Sequence, residues 1–323
     1  MRYRDLGRTG LVVSEIGFGA WGIGSWQPGQ LSYGVTDDEV SLAALDRALN
    51  LGITFIDTSN LYGMGHSERL VGRAIAGRRE AVVLATKVGH VDHHVMDHSP
   101  AALERSLEDS LGRLGTDHVD LLQLHGATPD ILRADPGIIG CLERMRSAGT
   151  IRAWGMSANT PADAAQAVRE FGVPVVQVNL NMLDARAWES GLLDLARDHG
   201  TGLIARTPLA FGFLAADFAE DTVFPPEDHR SRYSGPRVAA WVRQARAARE
   251  AVSAEMGAEA SLVQNALRFC LAVPEVSVVI PGILTPREAE ENSAASDLGP
   301  LPASLVDRIA QRSLEEDRKA RPS

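Results

Sequence analysis

Eight short apolar runs recur along the chain, and segments with helical periodicity separate them. The runs are almost continuously apolar, which is typical of strands buried on both faces of a parallel sheet. The predicted strands are Ile16–Gly19, Thr54–Asp57, Val82–Lys87, Val119–His125, Ala153–Ser157, Val175–Asn179, Gly202–Thr207 and Val276–Pro281. Because no Ser/Gly-rich linker interrupts the alternation, the sequence predicts an α/β fold in which residues 1–323 form a single (β/α)8 TIM barrel.

Helix-end signals occur between these runs. Thr36 and Glu39 have the spacing of a capping box, in which both side chains bond to the backbone of the first helical turn. Gly52 is suited to end the same helix, because glycine readily adopts the left-handed conformation beyond a C-cap. Ser99-Pro100 and Thr160-Pro161 place proline at the first position of two further predicted helices.

Three segments fall outside the repeat. Residues 1–13 contain glycines near a turn and are predicted to form a hairpin that caps the bottom of the barrel. Residues 301–318 have the pattern of an extra C-terminal amphipathic helix. The connection over residues 211–236 is long for a compact domain, and such loops are more often functional lids than accidents, so we expect it at the active site.

The charge and the cysteines limit the class of protein. A net charge of −10 argues against a nucleic-acid partner, because such domains normally carry a basic surface. No apolar run approaches the roughly 18 residues of a membrane span, and the N-terminus lacks the apolar stretch of a signal peptide. Cys141 and Cys270 suit buried free thiols in a reducing compartment. We therefore expect a cytoplasmic protein without nucleic-acid or membrane partners, of open oligomeric state.

Four polar side chains, Asp57, Tyr62, Lys87 and His125, stand at or just beyond the ends of predicted strands two to four. In a parallel barrel these ends open into one pocket, so we expect the four groups to meet there. Tyr62 has an O–H that could protonate a nascent alkoxide, and the Lys87 ammonium would stabilise the phenolate. Asp57 could hold Lys87, and His125 could orient a substrate oxygen. Together they predict a metal-free acid–base site for a carbonyl group.

The segments around these residues resemble a known family. GITFIDTSNLYGMGHSERLVGRAI, KVG, SLEDSLGRLGTDHVDLLQLH and VVIPGILTPREAEEN are similar to the aldo-keto reductases, and the resemblance covers nearly the whole chain. It implies an NAD(P)(H)-dependent oxidoreductase that interconverts aldehydes or ketones and alcohols by hydride transfer from the nicotinamide. Tyr62 would be the general acid, Asp57 and Lys87 its tuning pair, and His125 the residue that orients the substrate.

The same resemblance implies the residues that hold the cofactor. Gln177 and Ser157 would contact the carboxamide, although Ala158 stands where the family often has asparagine and Asn159 is the alternative contact. Arg206 stands where many members have an aromatic ring, and its guanidinium could serve as the flat platform instead. The implied cofactor site comprises Gly19, Ala20, Trp21, Asp57, Ser157, Gln177, Arg206, Thr207, Pro208, Leu209, Gly212, Gly282, Leu284, Thr285, Arg287, Glu291 and Asn292.

The cofactor preference depends on the last of these segments. The family default is NADP(H), and many NADP-dependent members have a basic residue where Leu284 stands. Arg287 is the one local cation in the sequence for a 2′-phosphate, and Glu288 would repel that group. NAD(H) is therefore the alternative to NADP(H). Glu291 and Asn292 match the residues that contact the adenine.

The substrate is less constrained. The expected lining residues are Trp21, Trp26, Tyr62, His90 and His125. Further aromatic candidates in strand-end loops are Tyr33, Trp188, Phe211, Phe213, Phe224 and Tyr233. The polar loop with His90, His93, His94 and His98 favours a hydroxylated, sugar-like substrate, but it could also be a plain exposed loop or hold a metal.

Two alternatives to a reductase follow from the same features. One is a non-catalytic nicotinamide-binding regulatory module, because the β subunits of voltage-gated potassium channels resemble this fold. The other is a metal-dependent barrel hydrolase that uses the histidine loop. We predict no metal in the reductase, because proton transfer by Tyr62 does not need one.

Overall fold

In the computed structural model, which describes residues 1–25, 32–257 and 260–320, ten strands and eleven helices surround one central axis. The strands are β1 (Tyr3–Asp5), β2 (Val12–Ser14), β3 (Phe18–Gly19), β4 (Phe55–Asp57), β5 (Val83–Val88), β6 (Val119–His125), β7 (Ile151–Ser157), β8 (Val175–Asn179), β9 (Gly202–Arg206) and β10 (Val276–Ile280). The helices are α1 (Asp38–Asn50), α2 (His66–Ile75), α3 (Pro100–Leu114), α4 (Pro129–Ala134), α5 (Gly137–Ala148), α6 (Pro161–Phe171), α7 (Leu192–His199), α8 (Gly235–Met256), α9 (Leu262–Leu271), α10 (Pro286–Leu298) and α11 (Ala303–Ala320).

Strands β3 to β10 pair in parallel in sequence order and form the barrel. Single parallel bridges between Ile16 and Val279 and between Gly19 and Gly282 join the first strand to the last. The predicted (β/α)8 TIM-barrel fold is confirmed, and each predicted strand overlaps an observed one. Among the described helices, none is both long and apolar enough to cross a membrane.

The hairpin of β1 and β2 closes one end of the barrel, as predicted. Leu6, Leu11 and Val13 pack against the first inward-facing residues of the barrel strands, such as Phe55 and Leu121. The turn approaches β9 so closely that a Cβ on Gly7 would lie 2.3 Å from the Gly202 backbone nitrogen. Glycine is therefore required there both by space and by its positive φ of 56°. The opposite end of the barrel stays free for a functional site.

The predicted capping box at Thr36 is wrong, and helix α1 begins one residue later. Asp37 is the N-cap, and its carboxylate accepts a hydrogen bond from the Val40 backbone nitrogen at 2.9 Å. The Thr36 hydroxyl instead donates to the Ser25 carbonyl oxygen, so it is not available to the helix. A carboxylate at this position also interacts favourably with the helix dipole. Pro100 and Pro161 begin α3 and α6, as expected.

The segment of residues 211–236 is a folded connection, not an open loop. It contains a short 3-10 turn at His229–Arg232, and α8 already begins at Gly235. Phe213 and Phe224 are buried in an aromatic cluster with Trp241, so their predicted place in the pocket is wrong. Both side chains belong to the main hydrophobic core, so the connection is packed onto it.

The remaining predicted features also have a clear outcome. The C-terminal helix is present as α11 and packs against α8. Cys141 and Cys270 are buried and free, as the sequence indicates. Trp188 is partly buried and packs against Phe269 of the hydrophobic core.

Substitution of a buried side chain in the hairpin tests its role in closing one end of the barrel. Leu6 is fully buried in the barrel, so we expect Leu6→Ala to lower the free energy of unfolding by about 2–5 kcal/mol. Val12→Ala is the matched control, because Val12 in the same hairpin is 55% exposed and its truncation should change stability by less than about 0.5 kcal/mol. Urea unfolding followed by circular dichroism measures both. An equal loss of unfolding free energy in the two variants would contradict this role of the hairpin.

Candidate active site

Lys87 is the centre of a buried polar cluster at the open end of the barrel. Its Nζ atom donates to Asp57 Oδ2 at 2.5 Å, to Tyr62 Oη at 2.9 Å and to the Thr58 carbonyl oxygen at 3.0 Å. The side chain is 0% exposed, and burial alone would lower the pKa of Lys87. The charges and hydrogen bonds of Asp57 and Tyr62 outweigh burial, so the pKa is raised above its ordinary value. Lys87 is therefore a charged ammonium in contact with a phenol.

Asp57 is fixed by amide donors from two further strands. Its Oδ1 atom accepts hydrogen bonds from Gln123 Nε2 and Gln177 Nε2, both at 2.9 Å. Sequence reasoning missed Gln123, although a polar residue between the apolar residues Leu122 and Leu124 was a usable signal. Both carboxylate oxygens are thus satisfied, which a buried ion pair requires.

His125 faces the same cluster as a neutral imidazole. Its Nδ1 atom lies 3.2 Å from Ser59 Oγ, a contact that the sequence did not predict. The ring packs edge to face against Tyr62 and against His90, with centroids 6.1 and 4.7 Å apart. Burial first, and then the positive charge of Lys87, hold the pKa of His125 well below its ordinary value. One ring nitrogen therefore carries a proton and can donate a hydrogen bond without a net charge.

These groups surround a cavity of about 430 Å³, here called the central cavity. The predicted residues that line it are Gly19, Trp21, Asp57, Tyr62, His90, His125, Ser157, Gln177, Arg206, Thr207 and Gly282. Lining residues without a predicted role in the site include Ser25, Leu61, Gly63, Gly126, Asn179 and Ile280, whereas His93 lines it as part of the predicted histidine loop. Tyr33, Phe211 and Asn159 also line it, as the sequence suggested.

Other predicted site residues lie elsewhere. Ala20 is fully buried, although its backbone nitrogen donates to the Asp57 carbonyl oxygen at 2.9 Å. The predicted residues outside the lining of the central cavity are Ala20, Lys87, Pro208, Leu209, Gly212, Leu284, Thr285, Arg287, Glu291 and Asn292. Trp26 lies outside the described residues.

Arg206 connects the ends of three barrel strands at the wall of the central cavity. Its Nε donates to Asn179 Oδ1 at 2.9 Å, its Nη1 to Ser157 Oγ at 2.6 Å, and its Nη2 to the Ala158 carbonyl oxygen at 2.8 Å. Ser157 Oγ in turn donates to Gln177 Oε1 at 3.3 Å. The guanidinium plane is thereby fixed by three neutral acceptors.

The N-terminus of α10 follows Gly282 and has its own acceptor. Glu288 Oε2 accepts from the backbone nitrogens of Leu284 at 2.6 Å and Thr285 at 3.2 Å, and Thr285 Oγ1 accepts from the Glu288 nitrogen at 3.2 Å. This is a complete capping box, and its carboxylate occupies the position where a helix N-terminus would otherwise bind an anion. Further along α10, Asn292 Nδ2 is buried and has no hydrogen-bond partner in the described part of the chain.

The histidine loop does not form a metal site in the described residues. Within the described ranges, no group of three or more His, Cys, Asp or Glu side chains could hold a metal ion. His90 and His93 face the central cavity, whereas His98 is buried and its Nε2 lies 3.1 Å from the His125 carbonyl oxygen. The loop is therefore partly a wall of the cavity and partly a support for His125.

Known proteins with similar sequences define the family of this chain. The sequence model of the Aldo/keto reductase family matches residues 15–313. The chain is 30% identical to the uncharacterized oxidoreductase YqkF of Bacillus subtilis over 331 residues, which cover 100% of both chains. It is 32% identical to the NADH-specific methylglyoxal reductase of Escherichia coli, over 69% of this chain and 72% of that protein.

A solved structure shows the same architecture. The holo form of the aldo-keto reductase AKR11C1 from Bacillus halodurans has a TM-score of 0.79 and 29% identity, over 97% of this chain and 96% of that one. The fold and the relatives define an oxidoreductase of carbonyl and alcohol groups. The chain belongs to the Aldo/keto reductase family.

The lowered pKa of His125 predicts a pH dependence of stability. Below the ordinary imidazole pKa of about 6.5, the unfolded chain takes up a proton that folded His125 does not accept. Stability should therefore fall as the pH drops below about 6.5, by up to about 1.4 kcal/mol per pH unit from this residue. Urea unfolding between about pH 7 and pH 5 should show a smaller loss for His125→Asn than for the wild type.

The comparison with the variant is needed because other imidazoles contribute. Burial also lowers the pKa of His90, His98 and His229, and all three remain in the His125→Asn protein. An identical pH dependence in the two proteins would contradict a neutral His125. Histidine NMR of the folded wild type gives a second reading, since the His125 resonance should keep its neutral shift at about pH 6.

Proposed function

We propose that this chain is an NAD(P)(H)-dependent reductase of aldehydes or ketones, which also oxidises the corresponding alcohols, with Tyr62 as the proton donor. One observation carries the proposal. The Lys87 ammonium contacts Tyr62 Oη at 2.9 Å and Asp57 Oδ2 at 2.5 Å, and both partners line the central cavity. A phenol in contact with a buried cation is suited to release a proton to a developing alkoxide.

Each of the four polar residues has a distinct task in this proposal. Tyr62 donates its proton to the substrate oxygen, and Lys87 stabilises the phenolate that remains. Asp57 holds the ammonium in position and keeps it charged. His125, as a neutral imidazole, donates a hydrogen bond to the carbonyl oxygen and orients it. A bound nicotinamide would supply the hydride.

The residues present are compatible with such a cofactor. Gln177, Ser157 and Asn159 offer amide and hydroxyl groups at the central cavity for the carboxamide. Asn292 Nδ2 is a buried donor without a hydrogen-bond partner in the described part of the chain. Because buried donors are normally paired with an acceptor, we propose that the adenine provides one. The proposed cofactor-binding residues are the individual residues named in the sequence analysis, of which Gly19 is the first and Asn292 the last.

The capping box of α10 favours NAD(H) over the family default NADP(H). Glu288 already accepts from the backbone nitrogens of Leu284 and Thr285, so a 2′-phosphate at this helix end would meet a carboxylate. Two anions at one site repel each other, and Arg287 is the cation that the adjacent sequence offers in compensation. A 2′-hydroxyl, in contrast, could donate to the Glu288 carboxylate.

The walls of the central cavity favour a small hydroxylated carbonyl compound, such as a sugar-like aldehyde. His90, His93 and Asn159 contribute polar groups to the lining, and Trp21, Tyr33 and Phe211 contribute aromatic rings. Polar hydrogen-bonding groups together with aromatic faces suit a ring or chain that carries hydroxyl groups. With both cysteines buried and free, we further propose that the enzyme acts in the cytoplasm.

The non-catalytic alternative has no specific support in the site. All four groups of the proposed acid–base machinery are present around one cavity, and the Lys87 contacts are complete. A module that served only to bind a partner would have no need to keep a buried ammonium against a phenol.

Removal of the Tyr62 hydroxyl tests the proposed acid. We expect Tyr62→Phe to lower kcat by about 10²–10⁴-fold, because general acid catalysis contributes about that much. The assay follows oxidation of NADH and NADPH with simple alkanals and with hydroxylated aldehydes such as glyceraldehyde. Tyr33→Phe is the matched control, since it removes a second phenol that lines the same cavity and should cost much less.

The outcomes of this assay separate the parts of the proposal. Near-normal turnover in Tyr62→Phe would overturn its role as the acid. Absence of turnover by the wild type with every aldehyde, despite cofactor binding, would favour the regulatory module. Faster reduction of alkanals than of hydroxylated aldehydes would contradict the sugar-like substrate.

The charge of Glu288 should set the preference between cofactors. We expect Glu288→Gln to raise the affinity for NADPH by about tenfold while the affinity for NADH changes little, because glutamine can still cap α10 but carries no charge. Quenching of tryptophan fluorescence by each dinucleotide measures the dissociation constants. Glu290→Gln on the exposed side of α10 is the control, and an equal gain there would indicate a general charge effect.

A further inference from the structure

Arg206 carries a positive charge at the central cavity without a direct counter-ion. Its hydrogen-bond partners are Asn179 Oδ1, Ser157 Oγ and the Ala158 carbonyl oxygen, and all are neutral. Across the residues that the structure describes, no carboxylate oxygen lies within 4 Å of the guanidinium. The other cation of the site, Lys87, is neutralised by Asp57 at 2.5 Å. The unbalanced charge at the cavity wall is therefore that of Arg206.

The field of Arg206 reaches the reacting groups. Burial is the largest cause of the lowered pKa of His125, followed by the charges of Lys87 and His90, and Arg206 adds to them. Tyr62 and Asp57 in turn act electrostatically on the guanidinium. These interactions operate across a partly buried cavity, where charges are screened less than in water.

A nicotinamide in this cavity has little room to avoid the guanidinium. Its reactive carbon must come close to a carbonyl held by Tyr62 and His125, and its carboxamide needs the polar groups of Ser157, Gln177 or Asn159. Arg206 lines the same cavity and donates hydrogen bonds to Ser157 Oγ and to the Ala158 carbonyl oxygen. We therefore expect a planar ring that meets both requirements to come close to the guanidinium.

We propose that Arg206 makes the central cavity discriminate between the two oxidation states of the nicotinamide, and that it binds the reduced form more tightly than the oxidised form. This inference rests on the proposed function. The oxidised ring carries a positive charge and the reduced ring is neutral, so the guanidinium repels only the oxidised ring. If the ring lies about 4–6 Å from the guanidinium and the effective dielectric constant is about 20, this repulsion corresponds to roughly 100- to 1,000-fold in affinity before other charges are counted.

The Asp57 carboxylate offsets part of this effect, but its charge is already paired with Lys87. We therefore expect the reduced cofactor to bind more tightly than the oxidised one, by about tenfold or more, after this offset. This difference favours one direction of the reaction. The cavity retains the reduced cofactor and releases the oxidised one readily, which suits an enzyme that works mainly as a reductase in the cell.

Dissociation constants of both oxidation states provide the test. Quenching of tryptophan fluorescence is measured with NADH, NAD⁺, NADPH and NADP⁺ for the wild type, Arg206→Lys and Arg206→Gln. Both substitutions disturb the contacts with Ser157 and Ala158, but only glutamine removes the charge. We expect the ratio of the oxidised to the reduced dissociation constant to fall by about tenfold or more in Arg206→Gln and to stay near the wild-type value in Arg206→Lys.

The possible results are distinguishable. Equal ratios in all three proteins, or an equal weakening of both forms in Arg206→Gln, would overturn the inference and leave the proposed function intact. Failure of the wild type to bind any of the four dinucleotides would overturn both. Arg206→Met replaces Arg206→Gln if thermal unfolding shows that the glutamine variant does not fold, since it also removes the charge.

Discussion

The ion pair between Lys87 and Asp57 is the interaction on which the open end of the barrel depends. Two charges taken out of water are costly, and their attraction offsets that cost only if every remaining donor and acceptor is satisfied. The ammonium has three protons and three acceptors, of which Tyr62 Oη is one. The carboxylate has amide donors on its second oxygen. The proposed proton donor is therefore also a structural partner of the buried lysine, so chemistry and stability share one group.

This arrangement follows from the period of two along the barrel strands. The apolar layer above the hairpin contains Phe55, Ala85, Leu121, Val175 and Ile204. Two residues further along the same strands, the next layer contains Asp57, Lys87, Gln123, Gln177 and Arg206. Because side chains alternate between the two faces of a strand, both layers point to the barrel interior. The site is thus one polar layer on an apolar base, and the hairpin closes the base.

Much of this could be read from the sequence, because strand periodicity makes a single polar residue near the end of an apolar run conspicuous. Asp57, Lys87 and His125 were found in this way, whereas Gln123, in the same layer as Asp57 and Lys87, has no reactive group to attract notice. Ser59 lies in a connection, where no period predicts which way a side chain faces. The predicted cap at Thr36 is wrong because of a tertiary contact, which local sequence also does not predict. The Thr36 hydroxyl donates to the Ser25 carbonyl oxygen and does not cap the helix.

The cap of α10 links ligand recognition to the stability of a helix. Before any ligand arrives, Glu288 already satisfies the backbone nitrogens of Leu284 and of the N-cap residue Thr285. A ligand that needed those nitrogens would have to displace the carboxylate and break its half of the capping box. Under the proposed function, cofactor selection at this end of the barrel would therefore be coupled to the stability of the first turn of α10. Amide hydrogen exchange in the first turn of α10 would differ between ligands that leave the carboxylate in place and ligands that expel it.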